Sequence, residues 1–222
     1  GVVCVSHLAT ERVAARFGVP RARIAVVHNS VERARPRRDR SKVRVGTPPT
    51  VLFLGRVTRQ KGPAHLLDAA RRVVDERPDV RFVVAGDGDL LGDTVANGAA
   101  DGLAEHVLYT GFLGPDGVRR MLARADLFVL PSVSEPFGIA PLEAADAGVP
   151  VVLSNQCGVA EVLTSALRFD YWDTAELARQ ILRGLESESL RSELIDGAYD
   201  DLERSTWKAC GRELQAAWRR FS

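Results

Sequence analysis

A doubly wound, parallel α/β sheet is the fold class this sequence predicts, on three observations. Six short apolar runs fall at about residues 51–54, 80–85, 106–110, 126–130, 150–153 and 166–169, each of strand length. Segments with helical spacing separate them, Pro63 to Val74 and Pro115 to Ala123 among them. Strands alternating with helices pair in parallel through right-handed crossovers. The 222 residues are 45% apolar, enough to bury a substantial core in one domain with appendages.

The elements follow in order. Gly1 to Cys4 reads as a strand, Ser6 to Phe17 as a helix and Ile24 to Val27 as a strand that leads into Asn29-Ser30-Val31, so residues 1–32 form a small unit of their own. Residues 33–50 form a basic linker, in which Arg33 to Arg44 holds seven basic residues and one acid. The main domain, 51–222, opens with the strand Val51 to Leu54 and the turn at Gly55; Arg56 and Lys61 follow, then a helix rich in Leu and Ala. The chain ends in helices. Leu177, Ile181 and Leu185 mark one, Leu190, Leu194 and Leu202 the next, and Trp207, Cys210, Leu214, Trp218 and Phe221 lie on one face of the last.

The stretch from Ser134 to Glu143 carries the most chemistry. Proline is tolerated only in the first turn of a helix, so Pro141 places a helix start near Phe137 or Gly138, directly after the apolar run Asp126 to Leu130. The amides of Phe137, Gly138 and Ile139 then face the chain's strand end as an anion site. Glu135 lies just before it, and Glu143 about five residues into the helix, roughly 7–8 Å along the axis. Carboxylates repel phosphate but accept hydrogen bonds from hydroxyls, so this pair suits a phosphorylated sugar. The competing reading makes Glu143 a solvated helix residue and Glu135 a partner of the helix dipole. Arg56 and Lys61 read as exposed loop cations at a strand's carboxyl end, a planar fork and a point charge suited to a diphosphate.

The motifs Gly55-Arg56, Lys61-Gly62, Val83 to Gly88, Gly111-Phe112, Ala125 to Ser132, Glu135 to Gly138, Leu142 to Ala144 and Gly148 to Val152 occur in the order and spacing of a known family. Over about residues 25 to 220 the chain resembles the retaining glycosyltransferases of the GT-B fold, group 1 (family GT4). The resemblance implies a Rossmann-like sheet, the C-terminal half of a GT-B fold, that binds a nucleoside diphosphate sugar. Arg56 and Lys61 would hold the diphosphate at the Gly55 and Gly86 strand ends. Glu143 would accept hydrogen bonds from the ribose, Glu135 from the transferred sugar. Phe112 and Leu113 would meet the nucleobase, and the backbone at Phe137, Gly138 and Ile139 would cap phosphate and sugar. No cofactor and no divalent metal are implied. Two departures stand out: Ala145-Asp146 after the second glutamate, and Asn29-Ser30-Val31-Glu32 where the family's hinge has a glycine. In that family the first unit closes an N-terminal half that carries the acceptor site. The expectation is therefore a piece of a larger enzyme, or one half of a two-chain enzyme, inactive without its other half.

Other classes have weaker support. A formal net charge of +1 gives no field for nucleic acid. Cys4, Cys157 and Cys210 lack a Cys-x-x-Cys spacing and read as reduced thiols of a cytoplasmic protein. No 18-residue apolar span is visible. The basic linker reads as a solvated loop or as a peripheral contact with anionic lipid headgroups, at roughly 1 kcal/mol per cation. Asp87-Gly88-Asp89 reads as a turn rather than a metal site, and His7, His28, His65 and His106 lack zinc-ligand spacing. The dinucleotide fingerprint after the first core strand is absent, and Ser132 and Ser134 lack a nucleophile-elbow setting. Two alternatives stay open: a non-catalytic nucleotide-binding or assembly module acting with a partner chain, and a sugar-nucleotide epimerase on the same scaffold.

Overall fold

The computed structural model describes residues 1–33 and 46–222. Apart from Arg33, the basic run to Arg44 lies outside the described residues, and with it the expected lipid contact. The chain opens with β1 (Val2–Cys4), α1 (His7–Phe17) and β2 (Ile24–Val26), and the two strands pair in parallel as a separate sheet. Ser6 caps α1 by accepting the amide of Ala9, and Gly18 ends it in the left-handed region.

The main unit begins with β3 (Thr50–Leu54), α2 (Pro63–Glu76), β4 (Arg81–Ala85), α3 (Leu91–Ala100), β5 (Val107–Gly111) and α4 (Pro115–Arg124). It continues through β6 (Leu127–Leu130), α5 (Ala140–Asp146), β7 (Val151–Ser154), β8 (Leu167–Phe169), α6 (Thr174–Glu186), α7 (Glu188–Arg204) and α8 (Trp207–Phe221). Its six strands lie in the order β5-β4-β3-β6-β7-β8, and every pair is parallel. The expected doubly wound sheet is the one observed, each strand within a residue or so of its apolar run.

Parallel strands are covered on both faces, and the central ones show it: Val51, Leu52 and Phe53 of β3 and all of β6 are buried. At their amino ends the Asp126 carboxylate accepts the Thr50 amide at 2.9 Å, and the buried Arg191 donates to the Asp126 carbonyl at 2.8 Å. Helix α3 had no clear sequence signal, because Gly92, Asn97 and Gly98 weaken its propensity and only Thr94 and Gly98 are buried. On α8 the apolar stripe is half covered: Cys210 is buried, whereas Trp207, Leu214 and Trp218 stand in solvent.

The topology positions the site. The chain moves from β3 outward through β4 and β5, then returns to the other side of β3 for β6. The loops leaving β3 and β6 therefore part at the carboxyl edge, and open α/β sheets bind ligands in the crevice at such a reversal.

Candidate active site

Two loops form this crevice, residues 55–62 after β3 and 131–139 after β6. They are stitched together where the Val133 amide donates to the Gln60 carbonyl at 2.9 Å. Lys61 runs back beside Gly55, its Cε within 3.7 Å of where a Cβ would stand on that residue, and its ammonium pairs with the Glu135 carboxylate. With side chains 17% and 10% exposed, this is a largely buried ion pair. The expectation of Lys61 as an exposed loop cation is corrected: the Thr58 to Gly62 turn folds it inward. Arg56 is exposed and has no ion pair among the described residues.

Glu135 is fixed by backbone on both sides. Its amide donates to the Gln156 carbonyl at 3.0 Å and its carbonyl accepts the Gly158 amide at 2.9 Å, so the β7 loop carries it. The predicted helix start moves: α5 begins at Ala140, two or three residues later than expected, with Pro141 still in its first turn. Two observations explain the delay. The Phe137 side chain is buried while its carbonyl accepts the Val159 amide at 2.8 Å, and Gly138 has φ 96°, outside the helical region. Glu143 is thus the fourth residue of α5, three residues in from its start rather than about five. A seven-residue helix contributes a small dipole, so what remains at the expected anion site is the amides themselves. Those of Gly138 and Ile139 carry no hydrogen bond among the described residues.

Glu143 faces a second part of the crevice, a cleft of about 440 Å³ that it lines with Phe112, Leu113, Val31, Glu32 and Asp146. Burial pushes its carboxyl up from the ordinary 4.5. Phe112 is 80% exposed, whereas Leu113 packs on the core. Gly55 and Gly86 are backbone seams: the Gly55 amide donates to Ala85 at 3.0 Å, and the Gly86 amide to Gly111 at 2.9 Å. The arrangement brings Lys61, Glu135 and Gly138 together, and places Glu143, Phe112 and Leu113 in the neighbouring cleft.

Three further features bear on the site. Cys157 forms a parallel backbone bridge with Glu135, and burial pushes its thiol up to about 11, so it stays protonated. Asp87 accepts the Gly88 amide at 2.7 Å within a turn. Glu161 was not singled out from sequence, yet it binds the start of α1 and His28. No local pattern announces it, since its partners lie 133 to 154 residues away.

A Rossmann-like domain with a charged cleft at its topological switch point is the class these features define. Residues 35–201 match the family of glycosyl transferases group 1, and the chain belongs to that family. It is 29% identical to an uncharacterized glycosyltransferase of Methanocaldococcus jannaschii, over 96% of this chain and 58% of that protein. To the 2-deoxystreptamine glucosyltransferase of Streptomyces kanamyceticus it is 31% identical, over 84% of this chain and 51% of the relative. The chain thus spans about half the length of these curated relatives. Among solved structures, Staphylococcus aureus TarM in complex with ligands that include UDP superposes with a TM-score of 0.84 at 18% identity, over 98% of this chain and 43% of that one. Anabaena HepE in complex with UDP superposes at 0.81 and 19% identity, over 98% and 63%. Both share the fold.

Proposed function

We propose that this domain binds the donor of a retaining GT-B glycosyltransferase of family GT4, which moves a hexosyl group from a nucleoside diphosphate sugar to a hydroxyl acceptor. Residues 1–32 would belong to the N-terminal half and hinge, 33–50 to a linker and 51–222 to the donor domain. The observation that carries the reading is the Lys61–Glu135 pair at the switch point. A lone diphosphate-binding lysine needs no carboxylate beside it, and a lone structural pair gains nothing from a ligand crevice.

An arriving diphosphate competes with Glu135 for the Lys61 ammonium, and Arg56 supplies a second, exposed cation. Glu135 is then released to accept hydroxyl hydrogen bonds from the sugar attached to that diphosphate. Charge on the departing diphosphate is held by Lys61, Arg56 and the open amides of Gly138 and Ile139, so a divalent metal is not required for that task. Glu143 takes the ribose hydroxyls and Phe112 the base. UDP in the two structural neighbours favours a uridine donor. The three buried free thiols suit a cytoplasmic setting. Transfer itself needs both reactants held in register, so the chain alone is expected to bind donor without turnover.

Calorimetric titration with UDP, ADP, GDP and their sugar conjugates tests the reading. Binding of one diphosphate series is expected, with no sugar transfer until the other half is supplied. Absence of binding at millimolar concentration by any of them overturns it.

A further inference from the structure

Helix α1 lies outside the six-stranded sheet, yet its first turn is built against the loop that carries Glu135. Its own first turn holds no acidic residue. The missing negative charge is supplied by Glu161, whose two oxygens accept the amides of His7 at 2.8 Å and Leu8 at 2.9 Å. These are two of the donors that a helix N-terminus leaves without partners, and a carboxylate there also meets the positive end of the dipole. Glu161 further accepts from His28 Nε2 at 2.8 Å, just beyond β2. One side chain thus holds both ends of the α1–β2 segment.

What α1 then holds is the 134–138 loop. The fully buried Ser6 donates from Oγ to the Pro136 carbonyl at 2.6 Å while accepting the Ala9 amide at 2.9 Å. Arg12 bonds Ser134, on the other side of Glu135. The turn that ends in Glu161 closes the circuit, since its Gly158 and Val159 amides bind the Glu135 and Phe137 carbonyls. Packing there leaves no slack: a Cβ on Gly158 would stand 2.1 Å from the Pro136 carbonyl oxygen and 2.6 Å from Ser6 Oγ.

We infer that Glu161 is a positioning residue, which sets α1 so that Ser6 and Arg12 hold the Glu135 loop in register with Lys61. That the loop serves a sugar rests on the function proposed above; the brace itself does not.

Hydrogen exchange and calorimetry on the full chain, as the parent, Glu161→Ala and Glu161→Gln, test it. In Glu161→Ala, amide exchange at Glu135, Gly158 and Val159 is expected to rise at least tenfold, with β3 and β6 unchanged. UDP-glucose is expected to bind about tenfold more weakly while UDP is unaffected. Glu161→Gln keeps an oxygen for the α1 amides without the charge, so its effects are expected to fall between parent and Glu161→Ala; it also serves if Glu161→Ala does not fold. Exchange that rises only within α1, or equally in β3 and β6, overturns the inference, since Glu161 would then only cap a helix or support the whole fold. A parent that binds neither nucleotide refutes the donor reading, and the exchange data still decide the brace.

Discussion

Lys61 and Glu135, 74 residues apart in sequence, close an ion pair between the loops leaving β3 and β6. Their side chains are largely buried, so each charge depends on the other for compensation. Removing one partner of a buried pair costs about 3–5 kcal/mol, mostly as the penalty on the charge left behind. Lys61→Ala and Glu135→Ala are each expected to destabilise by about that much or somewhat less, and the double variant by clearly less than the sum. Urea unfolding of the four proteins measures the coupling; additive losses would show two independent side chains.

The same pair sorts ligands. Glu135→Gln keeps the volume and is expected to spare UDP, because Lys61 is then free for the diphosphate, while the sugar conjugate loses about 1–2 kcal/mol with the charged acceptor. Calorimetry with UDP and UDP-glucose checks the difference. Equal losses for both ligands would place Glu135 on the nucleotide rather than on the sugar.

The six strands and their parallel, doubly wound arrangement were legible in the sequence, because buried parallel strands write themselves as unbroken apolar runs; their order in the sheet was not. The loops were less so. Pro141 signals a first turn but not which residue begins it, and the left-handed Gly138 decided that. Lys61 looked exposed because a loop lysine usually is, and its carboxylate partner comes from another crossover. Glu161 was invisible for the same reason: an N-terminal charge supplied across 153 residues leaves no spacing to find.

Exposed Arg56 and Phe112 separate binding from folding. Arg56→Ala is expected to weaken UDP far more than uridine, and the remaining affinity should respond less to salt, as exposed charges are screened over about 8–10 Å. Phe112→Ala is expected to weaken both ligands by about 1–2 kcal/mol through lost stacking. Each should leave stability within about 0.5 kcal/mol of the parent. Affinities unchanged in both variants would remove the base and diphosphate assignments together.

Glu143 is expected to show opposite signs for stability and for binding. Burial raises its carboxyl above the ordinary 4.5, so the folded state holds its proton more tightly than the unfolded one. Stability from this group is therefore full below about pH 4.5 and falls as pH rises through the raised folded value. Glu143→Gln removes that loss, so the variant should match the parent at low pH and be at least as stable at pH 7. Its UDP affinity should nevertheless fall by about 1.5–3 kcal/mol if a charged acceptor for the ribose has gone. Thermal melts at pH 4 and 7, with UDP titrations at pH 7, read both. A glutamine variant less stable than the parent at pH 7 would show that the carboxylate is held by partners rather than strained by burial, and unchanged UDP binding would remove it from the ribose site.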